Sequence, residues 1–493
     1  MLLLGIDVGT SSIKVSVVEA ETQKVVVSAQ YPDTESAITS LKTGWAEQAP
    51  EMWWEHVQQA ILKANSSKKY NPTDITAIGI AYQMHGLVVV DKDQNVLRDS
   101  IIWGDSRAVE IGNQAFSKIG EEKSLSHLLN SPGNFTASKL AWVKENEPQI
   151  YEKIDKIMLP GDFISMKLTG SITTSNSALS EGIFWDFKND SISSDILDCF
   201  GFAENLIAPV KPVFAEHGSL TKDVAQKLSL KPGIPVSYKS GDQPNNALSL
   251  NVLNPGEVAA TAGTSGVIYG VSESLTYDKQ SRVNTFAHVN HSGKDARLGV
   301  LLCINGTGIL NSWTKKHIGS NIDYPAMNAE SSKIPIGSEG LRVLPFGNGA
   351  ERMLNNKIVG SHFCNVDFNL HTRAHLFRAV QEGIAFAFRY GLDIMRESGM
   401  NPSVIRAGKA NLFLSEVFTE AFVNATNVPV ELYQNDGSVG AALGAGIGSK
   451  VFASEQEAFS NIEALSLIEP TNAAGYEAIY QDWKQILDKQ IKS

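Results

Sequence analysis

The chain opens on a period-two pattern. Residues 2–7 are an apolar run ending at Asp7, residues 9–12 have turn composition, and Ile13, Val15 and Val17 alternate with Lys14 and Ser16. This predicts two strands joined by a tight turn, with a third β-rich piece at residues 25–28. From Pro50 the period changes: Trp53, Val57, Ala60 and Ile61 recur at helical spacing behind a proline suited to a first helical turn. Residues 75–81 and 87–91 read as strands again, separated by the polar corner Gln83-Met84-His85-Gly86. In the second half, residues 371–395 place Leu376, Ala379, Val380, Gly383, Ile384 and Phe386 on one face, which predicts a core helix. A Gly/Ala-rich stretch at 439–446 suits a helix packed closely on a neighbour, and residues 476–491 have the charged periodicity of a terminal surface helix. Strands alternating with helices put the chain in the α/β class.

At about 150 residues per domain, 493 residues predict two or three domains. The tripeptide Gly-Thr-Ser occurs at 9–11 and again at 263–265, an offset of 254 residues, close to half the chain. Each copy sits between two β-rich runs: 2–7 and 13–18 for the first, 257–262 and 267–271 for the second. The matched setting suggests two related halves presenting their turns to a shared cleft. Turn-forming residues punctuate 240–255, so the boundary is drawn between an N-terminal domain at 1–243 and a C-terminal domain at 244–493.

Charge removes several classes of partner. Forty-two Lys and Arg against 53 Asp and Glu give −11, without basic blocks, so neither nucleic acid nor an anionic membrane surface is an expected partner. Apolar runs such as 298–304 fall short of the roughly 18 residues a membrane span needs, and Asp7 interrupts the N-terminus before a signal-peptide core could form. A soluble, cytoplasmic protein is expected. Cys199, Cys303 and Cys364 are odd in number, far apart and outside any C-x-x-C pair, which reads as buried thiols in a reducing compartment.

Four segments could carry chemistry. Asp7, followed by Gly9-Thr10-Ser11-Ser12 and Lys14, sets a carboxylate, hydroxyls, backbone amides and an ammonium where a polyphosphate could be cradled, with Asp7 near Mg²⁺; an ordinary hairpin turn is the plainer alternative. Thr264 and Ser265 supply a second such turn. Asp242, after an apolar run and two residues before Pro244, could accept a proton from an attacking hydroxyl or cap a helix, and the two are compatible. His85 could meet a polar ligand or be structural, and Trp103-Gly104-Asp105-Ser106-Arg107 could stack a sugar or form a local salt bridge beneath a Trp. No P-loop or protein-kinase signature occurs, and no Ser/His/Asp or metal-ligand cluster can be assigned by spacing.

In this order the pieces resemble the FGGY family of carbohydrate kinases, within the actin-like ATPase superfamily. The resemblance is carried by Gly5-Ile6-Asp7-Val8-Gly9-Thr10-Ser11, Trp45-Ala46-Glu47-Gln48, Gln83-Met84-His85-Gly86, Trp103-Gly104-Asp105-Ser106-Arg107, Gly241-Asp242, Thr264-Ser265-Gly266 and Arg378-Ala379-Val380-Gln381-Glu382-Gly383, across about nine-tenths of the chain. It implies two ribonuclease-H-like domains with ATP and sugar in a central cleft. It implies Asp242 as general base, Asp7 as a catalytic carboxylate toward Mg²⁺ and phosphate, and Met84, His85, Trp103 and Gln243 beside the sugar. On the nucleotide side it implies Thr10, Ser11, Lys14, Gly263, Thr264, Gly308, Trp313, Gly408 and Asn411. Met84-His85 stands where glycerol-specific relatives carry Arg-Glu, which favours a pentulose substrate. Another ketose such as ribulose, a polyol or a sugar acid is the alternative, and an actin-like ATPase switch without a sugar is a more distant one. A homodimer is the family-level expectation. Two stretches depart from the family pattern: Lys409 in Ala407-Gly408-Lys409-Ala410-Asn411, and Ala350-Glu351-Arg352-Met353-Leu354 in place of Gly-Glu-Arg-Thr-Pro.

Overall fold

The computed structural model describes residues 1–320 and 322–492. Its first sheet contains β1 (Leu2–Val8), β2 (Ile13–Glu19), β3 (Val25–Tyr31), β4 (Ile75–Tyr82) and β5 (Pro235–Gly241), in the spatial order β3-β2-β1-β4-β5. A two-residue strand, Gly218–Ser219, lies beyond β5. β1 is antiparallel to β2 and parallel to β4, which is parallel to β5.

The second sheet repeats this plan. β6 (Glu257–Ala262), β7 (Gly266–Ser272), β8 (Leu298–Ile304), β9 (Val404–Gly408) and β10 (Val430–Tyr433) take the order β8-β7-β6-β9-β10, with the same senses of pairing. Extra edge strands, Asn284–Ala287 on β8 and Ser466–Ile468 on β10, widen it. Each Gly-Thr-Ser turn joins the first two strands of its sheet, so the repeat seen in a tripeptide is a repeat of whole sheets.

The helices follow the hydrophobic pattern. α1 (Pro50–Ser66) buries Trp53, Val57, Ala60 and Ile61 against β2 and β3. α2 (Asp242–Ser249) continues directly from β5, and α3 (Gly308–His317) follows β8. α4 (Arg373–Glu397) is the core helix expected for 371–395. α5 (Gly437–Gly448) follows β10 yet packs across β1, β2, β4 and β5 of the first sheet. A Cβ on Gly5 would lie 1.8 Å from the Ser438 carbonyl oxygen, and one on Gly79 only 1.9 Å from that of Ala441, so this contact requires bare backbone.

Three expectations change. The strand expected at 87–91 shortens to Val88–Val90 and pairs with Lys156–Met158 outside the main sheet. The terminal helix, α6 (Ala473–Lys492), is more than a surface element: Tyr476, Tyr480, Trp483 and Leu487 share one buried face, and the Trp483 indole N–H donates to the Val343 carbonyl at 2.8 Å. The thiols are not buried. Cys199 and Cys364 are half-buried and Cys303 is exposed, because its neighbours Leu302 and Ile304 take the inward positions of β8. Among the described residues, no helix is long and apolar enough to cross a membrane.

Candidate active site

The parallel strands β1, β4 and β5 end on one side of the first sheet, the side where open α/β sheets bind ligands. Ala81 of β4 is level with Asp7 of β1 on one side and with Ser240 of β5 on the other. The backbones of Asp7 and Ser240, two residues before Asp242, are therefore two strands apart, about 10 Å across the sheet. α2 has Gly241 at its cap position, so Asp242 is the first helical residue rather than the cap, and its carboxyl accepts from first-turn amides at Gln243 and at its own residue. Burial first, then the charge of Asp7, pushes Asp242 up to about 7, against hydrogen bonds from Gln243. Asp7 is pushed up to about 6 by burial and by Asp436, with Lys14 opposing.

The first turn is tied into both halves. The Trp103 indole N–H donates to the Thr10 hydroxyl at 2.9 Å, and that hydroxyl donates to Gln83 Oε1 at 3.2 Å. Gln48 holds the Thr10 carbonyl at 2.8 Å and is itself fixed by the Trp53 indole at 3.0 Å. Lys14 forms an ion pair with Asp436, whose other oxygen accepts from the Ser438 amide at 2.9 Å at the start of α5. Ser11 is exposed, and its carbonyl accepts from Ser36 N at 2.7 Å.

The second turn rests on the start of α3. Gly308 N donates to the Gly263 carbonyl and Ile309 N to that of Thr264, both at 3.0 Å. A Cβ on Gly308 would be 2.1 Å from that Gly263 oxygen. The Asn411 amide lies 3.7 Å from the Cβ position of Gly263, and Gly408 faces Asn435. Because Asn435 precedes Asp436, one segment touches Gly408 on one flank and Lys14 and Asp7 on the other. Trp313, one turn into α3, is 46% exposed and lines an apolar pocket of about 330 Å³ with Ile309, Pro345 and Phe363.

Beyond β4 the chain turns sharply at His85, which takes a left-handed φ of 64°. Glu181, from the short helix Asn176–Glu181, holds that corner: its carboxylate accepts from His85 N at 2.9 Å and from the Tyr82 hydroxyl at 2.8 Å. His85 Nδ1 donates to the Glu181 main-chain carbonyl at 3.0 Å, which leaves Nε2 as the unprotonated nitrogen. Burial, with Lys139 and Arg352 nearby, pushes His85 down to about 3, so the ring is neutral. Met84 is buried beside Gly241. The His85 ring packs between Phe135, at 4.8 Å, and Phe286 of the second sheet's edge strand, at 5.4 Å. Asp105 and Arg107 form the local salt bridge at 2.7 Å, and the guanidinium lies 3.7 Å over Trp45 rather than under Trp103.

Two family profiles match this chain: FGGY family of carbohydrate kinases, N-terminal domain, over residues 2–249, and the C-terminal domain over 258–449. The chain belongs to the FGGY family of carbohydrate kinases. It is similar to proteins named xylulose kinase from Bacillus subtilis (29% identical, covering 98% of this chain and 96% of that one) and Escherichia coli (29%, covering 90% and 88%). Its fold matches the crystal structure of a xyloylose kinase from Brucella ovis with a TM-score of 0.89 at 26% identity, covering 99% of each chain. It matches a gluconate kinase from Lactobacillus acidophilus equally well, at 0.89 with 20% identity, covering 100% and 98%. Fold therefore does not select the sugar in this FGGY enzyme, and side chains must.

Several residues packed around this FGGY site carry no hydrophobic-period signal. Glu181 sits in a polar stretch with no periodicity to mark it. Lys139 is buried and donates to the carbonyls of His85, at 2.8 Å, and Ile102, at 3.0 Å. Cys303 and Arg352 approach from the second sheet, and only the fold could bring them near His85 and Asp242.

Proposed function

We propose that the protein transfers the γ-phosphoryl group of ATP to a hydroxyl of a pentulose, with D-xylulose as preferred acceptor, giving D-xylulose 5-phosphate and ADP. The observation that carries this reading is Asp242 at the carboxyl end of β5, pushed up to about 7 by burial and by the charge of Asp7. A general base works best with a pKa near the working pH, which an ordinary aspartate does not have. Similarity to proteins named xylulose kinase favours the pentulose. So does His85, whose unprotonated Nε2 suits a hydrogen bond from a sugar hydroxyl.

In this mechanism the ketose lies between Met84, His85, Gln243 and Asp242, and Asp242 takes the hydroxyl proton as oxygen bonds to the γ-phosphorus. Thr10, Ser11, Gly263 and Thr264 hold the phosphates through hydroxyls and backbone amides. Lys14, held by Asp436, and Trp103, donating to Thr10, fix the first turn. The pocket at Trp313 suits the adenine, and Gly408 and Asn411, beside Asn435 and Gly263, suit the rest of the nucleotide. Among the described residues no group of three or more His, Cys, Asp and Glu is placed to hold a metal alone. Asp7 nevertheless fits Mg²⁺ arriving with the nucleotide, since that ion needs only one or two carboxylates beside phosphate and water, and would supply charge neutralisation.

The test is ADP release by the purified protein across a panel of ketoses, polyols and sugar acids. D-xylulose is expected to give the highest kcat/KM, by roughly tenfold or more over its epimers. No stimulation by any of them would overturn the reading in favour of a sugar-independent ATPase.

A further inference from the structure

The protein has eleven arginines. Nine have a carboxylate within 4.0 Å; among the described residues only Arg297 and Arg352 have none. Arg352 is no loose surface side chain. It stands between Glu351, which is fully buried, and Met353 and Leu354, 1% and 2% exposed, in a short turn closed by a bond from Asn355 N to the Arg352 carbonyl at 2.9 Å. The adjacent carboxylate is already engaged: Glu351 accepts from Asn305 N and Gly306 N, each at 3.0 Å, on the loop that leads into α3.

The guanidinium instead donates from Nη1 to Asn284 Oδ1 at 2.9 Å. Asn284 and Phe286 alternate along the edge strand and so share a face. On that face Phe286 touches the His85 ring and Asn284 donates to Asn130 Oδ1 of the first half at 3.0 Å. Arg352 is thus held from the nucleotide-side loop and aimed toward the sugar corner. Its charge reaches both His85 and Cys303, and Cys303 in turn senses Asp242. Desolvation disfavours its charged form, as expected for a cation drawn from water without a counter-ion.

We infer that Arg352 is a catalytic residue of the transfer step, its guanidinium binding the phosphoryl oxygens as the group passes from nucleotide to sugar. The inference rests on the kinase reading above. The planar fork of donors matches phosphoryl oxygens, and a cation with no carboxylate partner in the resting protein can interact more strongly with the transition state than with anything before it. With Cys303 within reach of both Arg352 and Asp242, the work divides: the carboxylate takes the proton from the attacking hydroxyl, and the guanidinium neutralises charge on the equatorial oxygens of phosphorus.

The test compares wild type with Arg352→Gln, Arg352→Lys and Arg352→Ala. Arg352→Gln is expected to lose about 10²- to 10³-fold in kcat, with both KM values within about threefold and the same ADP-induced rise in melting temperature as wild type. Arg352→Lys should recover part of the loss, and millimolar guanidinium should restore activity to Arg352→Ala, which a purely structural role would not allow. A normal kcat in Arg352→Gln, an effect confined to the ketose KM, or no rescue of Arg352→Ala would overturn the inference while leaving a kinase active in the wild type. A wild type that phosphorylates no sugar would remove the kinase reading and this inference together.

Discussion

Asp242 illustrates how one residue can be favourable for chemistry and unfavourable for stability. Its pKa of about 7 in the folded protein, against 3.8 for an ordinary aspartate, means the native state binds a proton that the unfolded chain has released. Stability linked to this group is therefore lost as pH rises between about 4 and 7. Asp242→Asn should lose about 10²- to 10⁴-fold in kcat. Above pH 7 the same variant should melt about 2–5 °C higher than wild type. A melting temperature equal to or below wild type at pH 8 would contradict the burial argument. The base must be ionised to work, so kcat/KM for the ketose should fall as pH drops through about 7. His85, held down to about 3, contributes no limb to that profile, and a second limb between pH 5 and 8 that disappears in His85→Gln would show this assignment to be mistaken. Asp7 and Asp242 were legible in the sequence because both follow apolar runs that end at a strand terminus. Glu181 was not, since it lies outside any periodic segment and acquires its place from Tyr82 and His85, about a hundred positions away; Arg352 was visible only within a stretch that departs from the family pattern, and its nearness to His85 comes from the fold.

At the level of elements, the close fit of α5 on the first sheet governs the phosphate side. α5 begins at the segment that pairs Asp436 with Lys14, and a buried contact between the hydroxyls of Ser16 and Ser438 at 2.7 Å fixes its position. Gly5→Ala would drive a methyl into the Ser438 carbonyl and should cost about 1–3 kcal/mol, read as a lower denaturation midpoint. Gly104→Ala, which meets nothing within 4 Å, is the matched control and should leave the midpoint unchanged. A midpoint for Gly5→Ala equal to the control would mean the contact is looser than described. On the second turn, Gly308→Ala should raise KM for ATP about tenfold with little change for the ketose, because the added carbon separates α3 from Gly263. Hydrophobic period predicted α1, α4 and the first three strands, and the Gly/Ala content predicted close packing of α5. Which sheet α5 would pack on was beyond it, because small residues announce proximity but not the partner.

For the molecule as a whole, two sheets share a five-strand order, each with its Gly-Thr-Ser turn between the first two strands. The edge strand Asn284–Ala287 is pinned to the first half by Asn130, by Ser177 to the Ala287 carbonyl at 2.8 Å and by Ser180 from the Ala287 amide at 2.9 Å. Those bonds fix the second sheet's Phe286 against the sugar corner, so the chemistry depends on both halves being present and in register. The most direct test of the account is the crystal structure of the Asp242→Asn protein with a non-hydrolysable ATP analogue, Mg²⁺ and D-xylulose. It should show the triphosphate between the Gly9–Ser11 and Gly263–Thr264 turns, with a ketose hydroxyl about 3 Å from the side chain at position 242. A nucleotide bound away from either turn, or a ketose bound out of reach of position 242, would contradict it.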